Sequence, residues 1–216
     1  LVNANVTQTM YTVTVYKTSD FEMLQHDANY TDEPNQTVGY FLIEKEVIRY
    51  TGKTATTFTN CFRGALNTKP AVHIVDTSKD SNKRPKVEEY VYIETNAVKV
   101  VLGLLNGALI NNPNNGNYFP ANWHLNINTI WIKNSDFTDI TDDLWENSTT
   151  NVNTGFVVRF EGVKKQTGKS FIEKEILPLI GCFMPIYAYG DIGIKRMTNI
   201  LSDAAYLKEL NASNIH

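Results

Sequence analysis

The chain has 216 residues, a formal net charge of −3, a hydrophobic fraction of 42% and a charged fraction of 20%. This composition excludes a disordered tail, and the length allows one large domain or two small ones, each with its own core. The acidic net charge disfavours a nucleic-acid-binding surface, and no apolar run reaches the ~20 residues that a membrane-spanning helix needs.

The first strands are predicted in the N-terminal quarter of the chain. Residues 10–16 alternate apolar and hydroxyl side chains with a period of two, which is typical of a half-buried strand. Residues 40–43 and 46–50 are rich in β-forming side chains, and residues 56–62 return after the sequence Thr51-Gly52-Lys53. The second and third of these runs predict a β-hairpin.

A turn-rich loop is predicted to follow the hairpin, between Arg63 and His73. Gly64 and Asn67 lie within it, and both residue types adopt positive φ at low cost. We therefore expect an ordered loop and no third regular strand. Residues 79–86 mix basic and polar side chains with one proline, which is typical of a solvated linker.

The middle of the chain is predicted to contain one strand and one apolar helix. Residues 89–93 have the composition of a strand, and residues 97–109 carry apolar side chains at helical spacing. One stripe of this helix is predicted to contain Val98, Val101, Leu102, Leu105 and Leu109. The Asn-rich residues 111–117 are predicted to end the helix and to begin a long loop, which carries Trp123.

The final third alternates between helical and strand patterns. Pro178 is awkward inside a helix and is expected to shorten or kink it. The pattern predicts an α+β domain. The predicted elements are a strand at 155–161, a helix at 171–180, strands at 183–189 and 192–197 around a turn at Gly190 and Asp191, and a short helix at 202–210.

The sequence Gly168-Lys169-Ser170 has the ending of a nucleotide-binding loop. Such a loop needs four residues between its first glycine and the Gly-Lys-Ser, because its backbone N–H groups must surround the phosphates. Five residues separate Gly162 from Gly168. Ser170 is instead followed three residues later by Glu173 and then by an apolar run, which predicts a capping box at a helix start. A nucleotide-binding enzyme is thus the weaker interpretation.

Catalytic and metal-binding patterns are also weak. Cys61 and Cys182 are far apart in sequence, which favours buried free thiols but leaves a disulfide open. A Cys61–His73 dyad is less favoured than a structural role for His73 in closing the loop. Four aspartates between residues 136 and 143 lack the pattern of a calcium loop and fit helix N-termini better. We therefore expect no enzymatic activity, no cofactor and no metal.

Two stretches together resemble the baseplate hub or tail-tip proteins of tailed bacteriophages and gene transfer agents. Residues 46–73 contain Arg63-Gly64-Ala65-Leu66-Asn67-Thr68 and then His73, similar to that family's hairpin ending in Arg-Gly-Ala-Leu-Gly-Thr with a nearby His. Residues 171–196 contain Phe171-Ile172-Glu173-Lys174-Glu175-Ile176-Leu177 and the Gly190-Asp191 turn, similar to the family's Phe-Ile-Glu-x-Glu-Ile-Leu run and Asp-Gly-x-Leu hairpin.

The likeness extends over most of residues 40–197, with departures. The helix at 97–109 and the sequence through Trp123 look like the family's helix and its Leu-Pro-Ala-x-Trp-Gly loop. Asn67 stands where the family has Gly, Pro178 is displaced by one position, and His124 replaces the Gly after Trp. Asn tolerates the left-handed region, so the first departure preserves the loop.

The resemblance implies a structural virion component. It implies an α+β fold with a β-rich, tube-type hub scaffold, to which residues 1–37 contribute the N-terminal strand or strands. Residues 38–80 would be an inserted β-hairpin module, and residues 81–216 an α+β hub domain. The implied assembly is a homotrimer at the phage tail tip, made in the bacterial host, which contacts distal tail, tube and fibre proteins and lets DNA pass without specific binding.

A carbohydrate- or host-receptor-binding module is the alternative interpretation. Trp123, Trp131 and Trp145 lie near Tyr118 and Phe119 in sequence and could form a flat aromatic platform for a sugar. A hub subunit predicts instead that these rings are mostly buried, within the subunit or against a neighbour. The chain begins with Leu and is expected to be an internal piece of a longer protein or a mature form without its start.

Overall fold

Antiparallel strands form the first half of the described chain, and helices join them in the second half, so the fold is α+β. The computed structural model describes residues 1–7, 9–26, 30–75, 84–107, 119–120, 122–143, 157–163 and 167–197. The strands are β1 (Val13–Thr14), β2 (Leu24–Gln25), β3 (Thr37–Ile43), β4 (Glu46–Tyr50), β5 (Gly52–Lys53), β6 (Thr57–Thr59), β7 (Val87–Asn96), β8 (Val157–Val163), β9 (Cys182–Phe183) and β10 (Lys195–Arg196). The helical segments are α1 (Ala97–Asn106), a 3₁₀ turn (Thr129–Trp131), α2 (Asn134–Asp143), α3 (Gly168–Phe171), a π-helical segment (Ile172–Ile176) and α4 (Leu177–Ile180).

The largest sheet is built around β3. This strand pairs with β4 from Gly39↔Tyr50 to Ile43↔Glu46, with β7 from Tyr40 to Ile43, and with β2 at its start. β7 in turn pairs with β8 along its second half. All these pairings are antiparallel, and the strand order is β2-β3-β7-β8, with β4 also beside β3.

A smaller three-stranded sheet, in the order β1-β6-β5, contains the predicted hairpin. Gly52 pairs with Thr59 and Lys53 with Phe58, and a further bridge joins Arg49 to Phe62, so the hairpin prediction is confirmed. The strand predicted at residues 10–16 is reduced to β1.

Two hydrophobic cores lie on opposite faces of the β3–β4 hairpin. Successive side chains of a strand point to opposite faces, so Phe41 and Ile48 enter one core while Tyr40 and Val47 enter the other. The N-terminal core also contains side chains from residues 2–21 and 58–87. The C-terminal core collects side chains from α1, α2, β8, the helical run 168–180 and the segment up to residue 194.

Helix α1 is fixed by caps at both ends. Asn96 Oδ1 accepts hydrogen bonds from the N–H groups of Val98 and Lys99 at 2.7 and 3.1 Å. Gly107 adopts φ +79, and its N–H donates to the Gly103 carbonyl. The helix therefore ends before the predicted residue 109, and the predicted breaker at 111–117 lies outside the described residues.

The second predicted helix contains an unexpected wide turn. The Leu177 N–H donates to the Ile172 carbonyl, five residues earlier, and this π-helical turn lies directly before Pro178. A proline in a regular α-helix would clash with the carbonyl four residues before it. The distortion predicted at Pro178 takes this form, and the helix continues to Ile180 and ends at Gly181, with φ +62.

The C-terminal strands form a narrow hairpin. β9 pairs with β10, and a bridge joins Ile186 to Ile192, so the strands are shorter than predicted. The helix predicted at 202–210 lies outside the described residues. The division at residues 37/38 and 80/81 stays a prediction, and strand pairing crosses it, because β1 pairs with β6 and β3 with β7.

Candidate functional site

The carboxylate of Glu46 is the centre of a buried polar cluster at the start of β4. Arg63 donates from Nε to Oε1 and from Nη2 to Oε2, each at 2.6 Å, which is a bidentate ion pair. The backbone N–H groups of Gly64 and Ala71 donate to the same carboxylate at 3.1 and 3.0 Å. One side chain therefore fastens both ends of the loop that follows the hairpin.

His73 completes this cluster. Its Nε2 lies 2.7 Å from Glu46 Oε2, and its Nδ1 lies 3.1 Å from Glu44 Oε2. Its backbone forms an antiparallel bridge with Val6 through two hydrogen bonds of 2.9 Å. The loop is thereby joined to the N-terminal segment, and these contacts agree with the loop-closing role expected for His73.

The Cys61 thiol has different surroundings. It is buried in the N-terminal core, and burial raises its pKa to about 12, so it stays a protonated thiol at neutral pH. Both ring nitrogens of His73 face carboxylates instead. The structure therefore forms no Cys61–His73 dyad. Cys61 and Cys182 are both free and buried, which confirms the favoured prediction over the disulfide.

The loop needs glycine at one position. Gly64 has φ +67, and a Cβ there would lie 2.7 Å from Pro70 Cδ and 2.8 Å from the Thr68 carbonyl oxygen. Asn67 has φ +64, so positive φ is confirmed at both predicted positions. Leu66 also has positive φ, at +51, which the sequence did not indicate.

A cavity of about 580 Å³, which we name the Trp123 cavity, opens beside the largest sheet. Val91 and Ile93 of β7 and Phe160 of β8 line it, together with Phe171 of α3. The lining combines apolar and polar residues from five regions of the chain. These are Val91, Ile93, Leu104, Asn122, Trp123, His124, Leu125, Phe160, Glu161, Gly162, Val163, Thr167, Gly168, Phe171 and Glu175.

The aromatic residues near this cavity do not make a sugar platform in the described part of the chain. Phe119 is fully buried against α1, where a Cβ on Gly103 would collide with its ring. The rings of Phe119 and Trp123 are inclined by 56°, with centroids 6.1 Å apart. Trp123 is partly buried, and Trp131 is more exposed, at 48%. Tyr118 and Trp145 lie outside the described residues.

The C-terminal hairpin carries an exposed apolar surface at its end. We define the tip patch as the four large side chains of Ile130, Trp131, Ile186 and Tyr189. The Trp131 ring lies near Gly190, where a Cβ would be 3.2 Å from the ring. Gly190 has φ +92, and the Tyr187 N–H donates to the Asp191 carbonyl at 2.8 Å, so the predicted turn is confirmed. The members and their exposures are Ile130 70%, Trp131 48%, Ile186 77% and Tyr189 90%.

A second buried carboxylate, that of Asp136, anchors this hairpin to α2. It accepts a hydrogen bond from the Tyr187 hydroxyl and another from Lys195 Nζ at 3.3 Å, with Lys133 Nζ 3.7 Å away. Burial alone would raise the pKa of Asp136, but the bonds from Tyr187 and Lys195 outweigh it and hold the pKa below its ordinary value. Asp136 lies in the first turn of α2, as predicted for an acidic residue at a helix N-terminus.

The helix start assigned to Ser170 is wrong by three residues. Thr167 is the N-cap, because its backbone is extended (φ −77, ψ 151) and its hydroxyl accepts from the Ser170 N–H at 3.2 Å. Ser170 is already inside the helix. Glu173 lies in the π-helical segment and forms an exposed ion pair with Lys169, at 3.8 Å, instead of reaching back to Ser170.

Glu46 is the site residue that sequence reasoning missed. An acidic residue in a predicted strand is usually read as facing solvent. A signal was nevertheless present, because Glu46, Ile48 and Tyr50 share one face of β4, and that face is buried in the N-terminal core. A charge on a buried face needs a partner, and Arg63 provides it.

Metal and membrane features are missing from the described ranges. No group of three or more His, Cys, Asp or Glu residues there could hold a metal ion. No helix in the same ranges combines the length and the apolar surface that crossing a bilayer requires. Comparison with protein-family models, curated proteins and solved structures gave no match to this chain.

Proposed function

We propose that this chain is a structural subunit of a baseplate hub at the tip of a phage-type tail. It assembles as a homotrimer around the DNA channel and links the tail tube to tip or fibre proteins in the virion. The phage setting comes from the resemblance of residues 46–73 and 171–196 to that family. The proposal assigns structural roles to Arg63, Gly64, Asn67 and His73, and these roles require no catalytic group.

The observation that carries the assembly is the tip patch. Ile186 and Tyr189 are 77% and 90% exposed, beside Ile130 and Trp131. Single exposed apolar residues are ordinary, but a cluster of large ones marks an interaction surface. Ile186 and Tyr189 lie on the hairpin that Asp136 holds in place, and Ile130 and Trp131 lie in the 3₁₀ turn beside it, so little ordering is needed when a partner binds.

The charge balance suits a channel. DNA slides through a pore whose wall does not neutralise its phosphates, since each neutralised phosphate strengthens binding. The chain has 20 basic and 23 acidic residues, which gives its net charge of −3. This acidic balance supports a channel wall without an excess of Lys and Arg, past which DNA moves without specific binding.

The test is the mass of the purified protein in solution, measured by light scattering or native mass spectrometry. The expected result is a particle of three chains, with a ring in electron micrographs. A protein that stays a strict monomer at every concentration measured contradicts the proposal. Hydrolysis of ATP that depends on Lys169 also contradicts it.

A further inference from the structure

We propose that the outer edge of β8 pairs with the same edge of a second copy of this chain, in antiparallel orientation and centred on Phe160. This contact goes beyond the proposed function, because it joins two subunits, or two rings of subunits, in the free protein. The partner is a second copy because the sequence of β8 carries its own complementary charges.

Strand β8 is the last strand of the largest sheet. It pairs with β7 along all seven of its residues, from Val157↔Asn96 to Val163↔Tyr90. On its other side, no strand within the described ranges pairs with it. The outer edge of such a strand presents a row of backbone N–H and C=O groups, which is a template for pairing with another strand.

The edge lacks two of the usual protections against such pairing. Proteins shorten their edge strands, place proline in them, or give them charges of one sign that repel a second strand. β8 has seven residues and no proline. Its two charged side chains, Arg159 and Glu161, have opposite signs and are 44% and 41% exposed, so they do not repel a second copy.

The charges select one register. When two β8 strands lie antiparallel about a twofold axis at Phe160, Arg159 lies opposite Glu161 of the partner subunit, twice in each contact. A slip by two residues in one direction places the two Arg159 side chains opposite each other. A slip in the other direction does the same for the two Glu161 side chains. Only the register centred on Phe160 therefore pairs opposite charges at both positions.

The neighbouring groups are compatible with this register. The Phe160 ring already meets the Phe171 ring edge to face, with centroids 4.7 Å apart, and a second Phe160 would extend this aromatic contact. Glu94 lies beside Arg159 on β7, but its carboxylate accepts hydrogen bonds from Thr31 and the Tyr92 hydroxyl of its own subunit. Its charge is therefore already stabilised within one chain.

The sequence on either side of β8 adds no like-charge pair. Lys164 and Lys165 follow the strand, whereas the residues that precede it, 154–156, are Thr, Gly and Phe. In an antiparallel pair the residues after one strand lie near those before the other. The two lysines of one copy are thus directed towards an uncharged stretch of the other copy.

The first experiment measures the mass of the wild type and of single variants over a range of concentrations. With the hub ring in place, the wild-type particle should grow from three chains to six as the concentration rises. Glu161→Arg opposes two pairs of like charges in each contact, and it is expected to weaken the pairing about tenfold or more. Asp20→Arg is the matched control, because Asp20 forms an exposed ion pair with Lys17 at 2.9 Å, and it should leave the doubling unchanged.

The second experiment restores the complementarity. Arg159→Glu also opposes like charges, and it additionally brings a carboxylate beside Glu94, so circular dichroism should first confirm that it folds. Mixing Arg159→Glu with Glu161→Arg matches two acidic positions with two basic ones. The mixture should regain the doubled particle that each variant alone lacks. The double variant Arg159→Glu/Glu161→Arg exchanges the charges within one chain and should double as the wild type does.

The outcomes separate this contact from the hub. Doubling that persists in Glu161→Arg, or that neither the mixture nor the double variant restores, overturns the β8 pairing. A particle of three chains that never doubles also overturns it and leaves the proposed function standing. A particle of two chains supports the β8 pairing but contradicts the hub, and a strict monomer contradicts both.

Discussion

At the scale of single residues, Glu46 shows how one buried carboxylate can order a loop. Its side chain is 1% exposed and accepts from the Arg63 guanidinium, two backbone N–H groups and His73. A buried charge that loses its partner is costly, so each member of the cluster depends on the others. The loop from Arg63 to His73 is therefore held by buried polar contacts as well as by the packing of Ala65 in the C-terminal core.

We expect Glu46→Gln to lower the free energy of unfolding by about 3–5 kcal/mol, because it leaves the buried Arg63 without its counter-ion. The NH₂ group of the new amide would also face Arg63 or a backbone N–H, and these groups are hydrogen-bond donors themselves. Urea denaturation measures the change. Glu44→Gln is the control: Glu44 also contacts His73, but its side chain is 59% exposed, so the expected loss is below about 1 kcal/mol. Equal losses in the two variants would contradict the assigned role.

The same cluster predicts how stability depends on pH. Burial alone would raise the pKa of Glu46, but the bonds from Arg63, Ala71 and His73 outweigh it, and the pKa lies below its ordinary value of 4.5. The unfolded chain then binds the proton more tightly than the folded one. We expect the contribution of Glu46 to be complete above pH 4.5 and to fall as the pH drops below it. Unfolding free energies of wild type and Glu46→Gln should converge in acid; a constant difference would contradict this.

At the scale of elements, the helical run 168–180 shows which features local sequence can determine. The helix was predicted at residues 171–180, and its existence and its end at Ile180 are confirmed. Its start was predicted wrongly, because Thr167 and Ser170 are both acceptable cap residues, and only the extended backbone of Thr167 and its bond to the Ser170 N–H distinguish them. The sequence predicted a distortion at Pro178, but it did not predict that the distortion would be a π-helical turn before the proline.

The cap assignment can be tested directly. We expect Thr167→Ala to cost about 1 kcal/mol, because it leaves the Ser170 N–H without its acceptor. Ser170→Ala should change stability by no more than about 0.5 kcal/mol, since its hydroxyl is not the cap. Denaturation midpoints of both variants give the comparison, and a larger loss in Ser170→Ala would restore the original assignment.

The polar contacts between distant elements lay beyond sequence reasoning. Arg63 and Glu46, or Asp136 and Tyr187, meet only after the strands and helices have packed. The hairpin at residues 46–62 was predictable because its signals are local. Burial of Val100 and Leu104, outside the predicted stripe of α1, reflects neighbours on several sides of that helix.

At the scale of the whole molecule, β3 and β4 join the two cores. Their side chains alternate between the N-terminal core and the C-terminal core. Unfolding of this hairpin therefore removes side chains from both cores at once. The sequence indicates that both faces of β3 are buried, because no polar side chain interrupts the run from Val38 to Ile43. A strand with one solvent-exposed face would alternate apolar and polar residues.

We therefore expect the two cores to open together. Cys61 lies in the N-terminal core and Cys182 in the C-terminal core, and both thiols are buried. A thiol reagent should label both cysteines at the same rate in mild denaturant, because both need the same opening. Peptide mass spectrometry separates the two sites. Faster labelling of one cysteine would show that its core opens independently.

The shared hairpin also constrains the order of events during synthesis. The N-terminal core can gather most of its side chains once residues up to Val87 have left the ribosome. The opposite face of β3 and β4, with Tyr40 and Val47, waits for α1 and for segments as late as Ile194. Until then the nascent chain presents an apolar sheet face to its surroundings, and such surfaces are where chaperones bind and where misassembly begins.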